Sequence, residues 1–489
     1  MDSAAPQPKP KPVLLLDELR KTLSATPPFC SGTLQLPASD LELYYGRAVP
    51  RFIDFTTVAQ RDGELDMLEK ACEAAVFGKG SETVLDETYR KAGKMDPEQF
   101  MTRFSVELTG LLDVVRQGLL TGAQEKKTVE AELYKLNLYG KGAFFKPHLD
   151  TPRSDKMFGT LIAVFPTPHE GGELLLRHDG KEWTFDSARL LAGHTDRIAF
   201  VAFFSDVEHE VFPVRAGHRV NLTYNLSFAD ASLPPKRIPP PDRLHVLQPI
   251  HFDPAVVREA LRNLLSDADV LPSGGTFAFA LRHIYPIPRM ANPWAVKQKR
   301  RKSDHDADVE DLIRSVQERL KGCDATLYEA CQALGLQPRL RFFMDDLYEA
   351  EDKFLFDDIS VLSDTPHDGC PYGIFETEKG VTYVRDGTLG EDDEDDAARK
   401  RSPWRPEAHP VYWVTPRNDL NEARWPFVGY GNQASLSYEY ISVCLTVDAP
   451  PFSERVKAFT ESMGASPGEI KLGEGGSGAA EEATASESA

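Results

Sequence analysis

The chain of 489 residues has only six cysteines, Cys30, Cys72, Cys323, Cys331, Cys370 and Cys444, and no two stand close together. That spacing suits reduced thiols better than a disulfide framework and argues against zinc ligation. Long apolar runs are also missing; nothing approaches the ~20 residues needed to cross a bilayer. The N-terminal MDSAAPQPKPKP lacks the apolar core of a secretory signal, and the C-terminus carries no address motif. A cytoplasmic or nuclear protein, not secreted and without a membrane partner, is expected. Positive charge is scarce as well: 56 Lys and Arg against 76 Asp and Glu give a net charge of −20, which opposes a broad electrostatic hold on nucleic acid.

What is present is an ordinary globular composition, 41% hydrophobic with 34 Gly and 36 Pro, in a chain long enough for two or three domains. Residues 1–30 contain Pro and Lys and are expected to be an unstructured tail, as is the Gly/Ser/Ala/Glu-rich tail at 466–489. Residues 31–127 read as a mainly helical layer, from the apolar spacing of Glu64 to Val76 and of Asp96 to Leu120. From 128 to 230 the pattern changes to short β-rich runs, among them Ala131 to Leu138, Gly159 to Phe165, Arg197 to Phe204 and Arg219 to Leu226, whose density suggests a sandwich or jelly roll. A Pro-rich linker at 231–242 (LPPKRIPPP within it) marks a boundary. Beyond it, 243–465 reads as an α+β region with loops near 297–307 and 388–402.

Twelve His among so many carboxylates should give about two His-x-acid pairs by chance. Three occur: His148-Leu149-Asp150, His194-Thr195-Asp196 and His251-Phe252-Asp253. The first alone lies well upstream of a histidine, His209, with a basic residue, Arg219, ten positions on. His218, His283, His305, His367 and His409 have Phe228, Pro293, Ser315, Thr377 and Asp419 at that distance. Two imidazoles and one carboxylate can occupy one face of a six-coordinate iron(II), leaving three adjacent positions for a chelating co-substrate and dioxygen. In an extended His-x-Asp both side chains share a face. The i, i+4 spacing of a helical di-histidine site is absent, so His209 must return from a distant strand.

Arg219 opens the strand RVNLTYNL, in which Arg219, Asn221, Thr223 and Asn225 share one face. If that face lines an interior, the guanidinium needs an anionic partner. A dicarboxylate ligand provides one, held in bidentate fashion; an internal pair with Asp or Glu is the alternative.

Tyr139-x-x-Gly142-x-x-Phe145-x-x-His148-x-Asp150, then Glu170-Gly171-Gly172-Glu173-Leu174, then His209-Glu-Val-x-x-Val214-x-x-Gly217-x-Arg219, together resemble the iron(II)- and 2-oxoglutarate-dependent dioxygenases, in particular their prolyl 4-hydroxylase-like branch. The resemblance spans 131–226. It implies an α+β protein with a double-stranded β-helix (jelly-roll) core, with His148, Asp150 and His209 as iron ligands and Arg219 on the distal carboxylate of 2-oxoglutarate. Tyr139 matches a position whose phenol often helps bind that co-substrate, although a core aromatic with a satisfied hydroxyl explains it as well. The implied activity is hydroxylation of a C–H bond, using O2, 2-oxoglutarate and Fe(II), with ascorbate as a candidate reductant. The substrate is unknown, a protein prolyl residue or a small molecule.

Two other readings are open. A nucleic-acid demethylase of the same superfamily would carry a second Arg six positions after the first, where Asn225 stands. A catalytically silent scaffold would use the jelly roll and the C-terminal region only for binding. Lys297 to Lys302 (KQKRRK) is either a solvated loop or a nuclear-import signal, and Glu391 to Asp396 lacks the Gly and terminal Glu of a calcium loop. The motif Tyr430-Gly431-Asn432-Gln433 loosely resembles extensions of fungal members of the superfamily, with a role in capping the site or recruiting substrate.

Overall fold

The computed structural model describes residues 9–46, 49–79, 81–229, 244–247, 253–288, 313–346, 352–357, 381–387, 389, 408–417, 430–432, 438–441, 443–455 and 457. The Pro-rich segment at 231–242, the loops at 297–307 and 391–396 and the tail from 466 lie outside these residues.

The runs MFGTLIAV (Met157–Val164) and RIAFVAFF (Arg197–Phe204) lack polar alternation because both faces of their sheet are covered. They sit centrally in an eight-stranded sheet that runs Leu244–Val246, Phe29–Gln35, Arg197–Phe204, Met157–Val164, Arg219–Phe228, Val129–Tyr139, Gly93–Met95, Glu73–Ala74. The helix Leu111–Leu119 buries Leu111, Val114, Val115 and Leu119 and touches the Phe29–Gln35 and Arg197–Phe204 strands. A second, five-stranded sheet runs Lys181–Phe185, Leu174–His178, Glu208–Val211, Phe144–His148, Arg90–Lys91. Side chains of both sheets, such as Phe200, Leu222, Leu174 and Val211, merge in one core. All pairings in the two sheets are antiparallel.

The 31–127 segment departs from the helical layer expected of it. Its helices are Glu64–Ala71, Leu111–Leu119 and the short Gly122–Glu125, and between them lie short strands that extend both sheets. The Asp96-Pro97 pair does start a turn, closed by a capping box with Gln99, but only a single 3-10 turn follows, and the chain then enters the strand Phe100–Thr102. The N-terminal segment also differs from expectation. Lys11–Leu23 is a helix with Leu16, Leu19 and Leu23 buried, and Phe29 already belongs to the large sheet. Its i, i+3, i+7 leucines were masked by the Pro- and Lys-rich residues before them.

That helix packs against Pro254–Leu265, which in turn touches Gly322–Ala333. The three cover a second core built on a closed barrel of six strands, Gly275–Ala280, His409–Thr415, Val381–Asp386, Asp352–Phe356, Arg339–Asp346 and Cys444–Ala449. Two of the barrel's pairings are parallel, so the sequential hairpins of a simple meander do not generate it. The described residues thus form a strand-rich α and β protein with one core between the two sheets and another at the barrel, whose strands also carry a small separate cluster around Phe343 and Leu355.

One buried charge cluster joins them. Asp206, in the turn after Arg197–Phe204, accepts hydrogen bonds from Lys321 Nζ at 2.6 Å, His283 Nδ1 at 3.0 Å and the Ile284 backbone N–H at 3.0 Å. Burial opposes ionisation of Asp206, but Lys321 and His283 hold its carboxyl well below the usual carboxylate range.

Candidate metal and co-substrate site

Strand pairing brings the two distant histidines together. His148 ends Phe144–His148, His209 lies in Glu208–Val211, and the two are direct cross-strand partners, which places their side chains on one face of the small sheet. Their ring centroids are 4.2 Å apart. Asp150 follows His148 by two residues, and its Oδ1 lies 3.9 Å from His209 Nε2. One ligand atom from each of the three residues falls within 4.8 Å of the others, and all three residues are buried.

Each ring is oriented by its own backbone. His148 Nδ1 lies 2.9 Å from the Lys146 carbonyl and His209 Nδ1 2.9 Å from the Val207 carbonyl. A carbonyl only accepts, so both Nδ1 atoms carry the hydrogen and both Nε2 lone pairs are left for a cation. Burial first, and then the neighbouring His209, hold His148 well below the usual histidine range, so its imidazole is neutral. Phe145 stacks on His148 with centroids 3.5 Å apart, and Phe203 flanks His209 at 4.7 Å. Asp150 Oδ2 accepts from Thr160 Oγ1, and Oδ1 accepts from Asn432 Nδ2 at 2.6 Å. Two imidazole Nε2 atoms beside a fixed carboxylate form a donor set that fits a divalent metal of intermediate softness.

Arg219 is directly paired with Tyr139 across the large sheet, and its guanidinium carbon lies 5.6 Å from the Tyr139 ring centre. It is 1% exposed. Nη1 donates to Asn221 Oδ1 at 2.8 Å and Nε approaches Ser187 Oγ at 3.4 Å, whereas Nη2 has no hydrogen-bond partner among the described residues. No carboxylate of the described residues pairs with it. Burial pulls its pKa down from 12.5 to about 10. Among the described residues it is a cation without a carboxylate partner, in a polar line, Arg219 to Asn221 to Thr223 to Asn137, along the sheet interior. Gly172, at φ +70°, lies against it: a Cβ there would come 3.1 Å from Arg219 Cδ and 2.9 Å from Val214 Cγ2. The Gly171-Gly172 pair therefore does more than turn the chain, since it leaves room for the Arg219 stem.

Of the other His-x-acid pairs, only His194/Asp196 lies wholly among the described residues, and it does not enter this site. Asp196 pairs with Arg197 and Gln35, and His251 lies outside the described residues. A second buried His/Asp/His group exists, His178, Asp206 and His283, but the Lys321 ammonium already supplies its cation. Sequence reasoning missed Thr160, a lone hydroxyl in an apolar strand, and Ser187. It singled out the segment containing Asn432 without seeing what the side chain does.

Residues 134–227 match the family model of the 2OG-Fe(II) oxygenase superfamily. This segment is a 2OG-Fe(II) oxygenase domain. The chain thus carries an oxidoreductase domain of a superfamily that works with iron(II) and 2-oxoglutarate. Among solved structures the chain is similar to a prolyl-4-hydroxylase from Pseudomonas putida, with 22% identity over 45% of this chain and 100% of that one, TM-score 0.26. It is also similar to a Trichoplax adhaerens prolyl hydroxylase solved with a peptide fragment of the hypoxia inducible factor oxygen degradation domain, with 18% identity over 44% of this chain and 91% of that one, TM-score 0.24. A 2OG-Fe(II) oxygenase family oxidoreductase from Burkholderia pseudomallei shares 17% identity over 46% of this chain and 93% of that one, TM-score 0.21. A search of curated proteins returns no match.

Proposed function

We propose that His148, Asp150 and His209 hold iron(II), that Arg219 binds the distal carboxylate of 2-oxoglutarate beside Tyr139, and that the two sheets form a double-stranded β-helix around them. The domain then acts as a hydroxylase on an unactivated C–H bond, with a prolyl residue of a protein or a small molecule as the substrate class. The observation that carries this reading is the buried guanidinium of Arg219, its Nη2 without a partner among the described residues, in the same domain as a preformed His/Asp/His donor set.

The residues divide the work. The two Nδ1 hydrogen bonds to backbone carbonyls orient each imidazole with Nε2 toward the metal position before any metal arrives, and Thr160 and Asn432 fix the carboxylate. Arg219, steadied by Asn221, supplies charge and direction at one end of the co-substrate, so that its other end can chelate. Phe145 and Phe203 flank the rings with apolar surface, which limits water near the donors. When bound, iron and 2-oxoglutarate supply the oxidising chemistry with O2; the protein supplies geometry and a low-dielectric setting.

The test is production of succinate from 2-oxoglutarate by the purified chain with Fe(II), O2 and ascorbate, against peptide and small-molecule libraries. Asp150→Ala should abolish it. Undiminished succinate in that variant would overturn the ligand assignment.

A further inference from the structure

The segment Tyr430–Gly431 returns from the C-terminal half to the small-sheet side of the oxygenase domain. It pairs antiparallel with Phe77–Lys79, and Gly431 makes a parallel bridge to Leu149, the residue between His148 and Asp150. The next side chain, Asn432, makes two hydrogen bonds to the metal-binding motif itself. Its Oδ1 accepts the Thr151 backbone N–H at 3.1 Å, and its Nδ2 donates to Asp150 Oδ1 at 2.6 Å. A backbone N–H only donates, so the carbonyl oxygen of Asn432 must face Thr151, and the amide nitrogen is thereby left facing Asp150. The orientation is determined by the contacts and not by an arbitrary choice of amide flip.

Asp150 Oδ1, the atom that Asn432 addresses, is also the carboxylate oxygen 3.9 Å from His209 Nε2. The other oxygen is taken by Thr160, which belongs to the domain itself. From these contacts we infer that Asn432 is a positioning residue for the metal site: it fixes the rotation of the Asp150 carboxylate from outside the domain, so the C-terminal half supplies part of the machinery that prepares the ligand set. This rests on Asp150 being a ligand, as proposed above. A side chain that orients a ligating carboxylate typically contributes about 10- to 100-fold in metal affinity. Asn432 makes no contact with Arg219, so its effect should fall on the metal and not on the co-substrate.

The experiment is anaerobic titration of the full chain with Co(II), read by its d–d absorption, for wild type, Asp150→Ala, Asn432→Ala and Asn432→Leu. The leucine variant keeps most of the volume and removes both hydrogen bonds. Wild type should bind with a distinct ligand-field spectrum and Asp150→Ala should lose it. Both Asn432 variants should bind about 10- to 100-fold more weakly, with an altered spectrum, an unchanged thermal midpoint and, at saturating metal, the 2-oxoglutarate affinity of wild type. Asn432 variants that titrate like wild type while Asp150→Ala fails would overturn the role of Asn432 alone. Equal loss of metal affinity, co-substrate affinity and thermal midpoint would also overturn it, because that is the signature of a merely structural contact. If Asp150→Ala binds Co(II) as wild type does, the ligand assignment falls, and this inference with it.

Discussion

Replacing Arg219 by methionine, which has a stem of comparable length and no charge, separates two effects that the structure ties to one side chain. In the protein without ligand the guanidinium is buried with no carboxylate partner among the described residues, and its pKa falls from 12.5 to about 10. At ~1.4 kcal/mol per unit, the charged form costs roughly 3 kcal/mol, and the cost is present at every pH below about 10. Methionine removes that cost, while Asn221 loses a donor, worth about 1 kcal/mol. Arg219→Met should therefore unfold at the same temperature as wild type or higher when no co-substrate is present. With 2-oxoglutarate the order should invert. Losing one partner of a buried charge pair costs about 2–5 kcal/mol, or about 30-fold to several-thousand-fold in affinity at ~1.4 kcal/mol per decade. The assay is isothermal titration of 2-oxoglutarate into Mn(II)-loaded protein, with thermal unfolding in its presence and absence. Wild type should gain about 2.7 kcal/mol at a hundredfold excess over its dissociation constant, and the variant less than about 1 kcal/mol at the same concentration. A variant with unchanged co-substrate affinity, or one that melts several degrees lower when empty, would refute the reasoning.

Two further outcomes follow from the junction and from the buried histidines. Lys321→Met leaves the Asp206 carboxylate buried without its ammonium partner, and should destabilise the protein by about 3–5 kcal/mol; equilibrium urea unfolding that matches wild type would count against the cluster as a structural joint. The pH dependence has a definite sign. Burial first holds both His283 and His148 below the ordinary value of 6.5, with Asp206 opposing at His283 and His209 adding to the effect at His148. The unfolded chain therefore takes up protons first as pH falls, and the stability of the metal-free protein should decline below pH 6.5 at up to ~1.4 kcal/mol per pH unit for each histidine. Asp206 does not offset this, since its carboxyl stays ionised through that window. A flat profile between about pH 7.5 and 5.5 is the result that would contradict these environments.

What could be read in the sequence was what local periodicity and short motifs encode. The two-residue step from His148 to Asp150 is a property of extended backbone. The polar face Arg219, Asn221, Thr223, Asn225 follows from the same alternation, and the structure shows all four buried. The return of His209 to face His148 was legible only as a spacing, since strand pairing itself leaves no local mark. Elsewhere local composition misled. Pro and Lys at the N-terminus concealed a helix whose leucines find their surface on a distant core, and the apolar spacing from Asp96 to Leu120 served edge strands as much as a helix, because a short amphipathic run suits either until a partner is present.

Contacts made over hundreds of residues were not legible at all, and they decide how the two halves of the chain relate. His178, Asp206, His283 and Lys321 come from separate segments and are unremarkable in each, yet three of them converge on one carboxylate. Asp206 stands three residues before His209, and the carbonyl of the residue after Asp206, Val207, sets the tautomer of His209. Asn432 donates a hydrogen bond to Asp150. The C-terminal half therefore grips the turn that leads to one proposed ligand and hydrogen-bonds another directly. A carboxylate at a domain surface, free to rotate, would spend entropy on each metal-binding event. Fixing it in advance with Asn432, a group from the C-terminal half, moves that cost into folding, where the hydrophobic burial of that half offsets it.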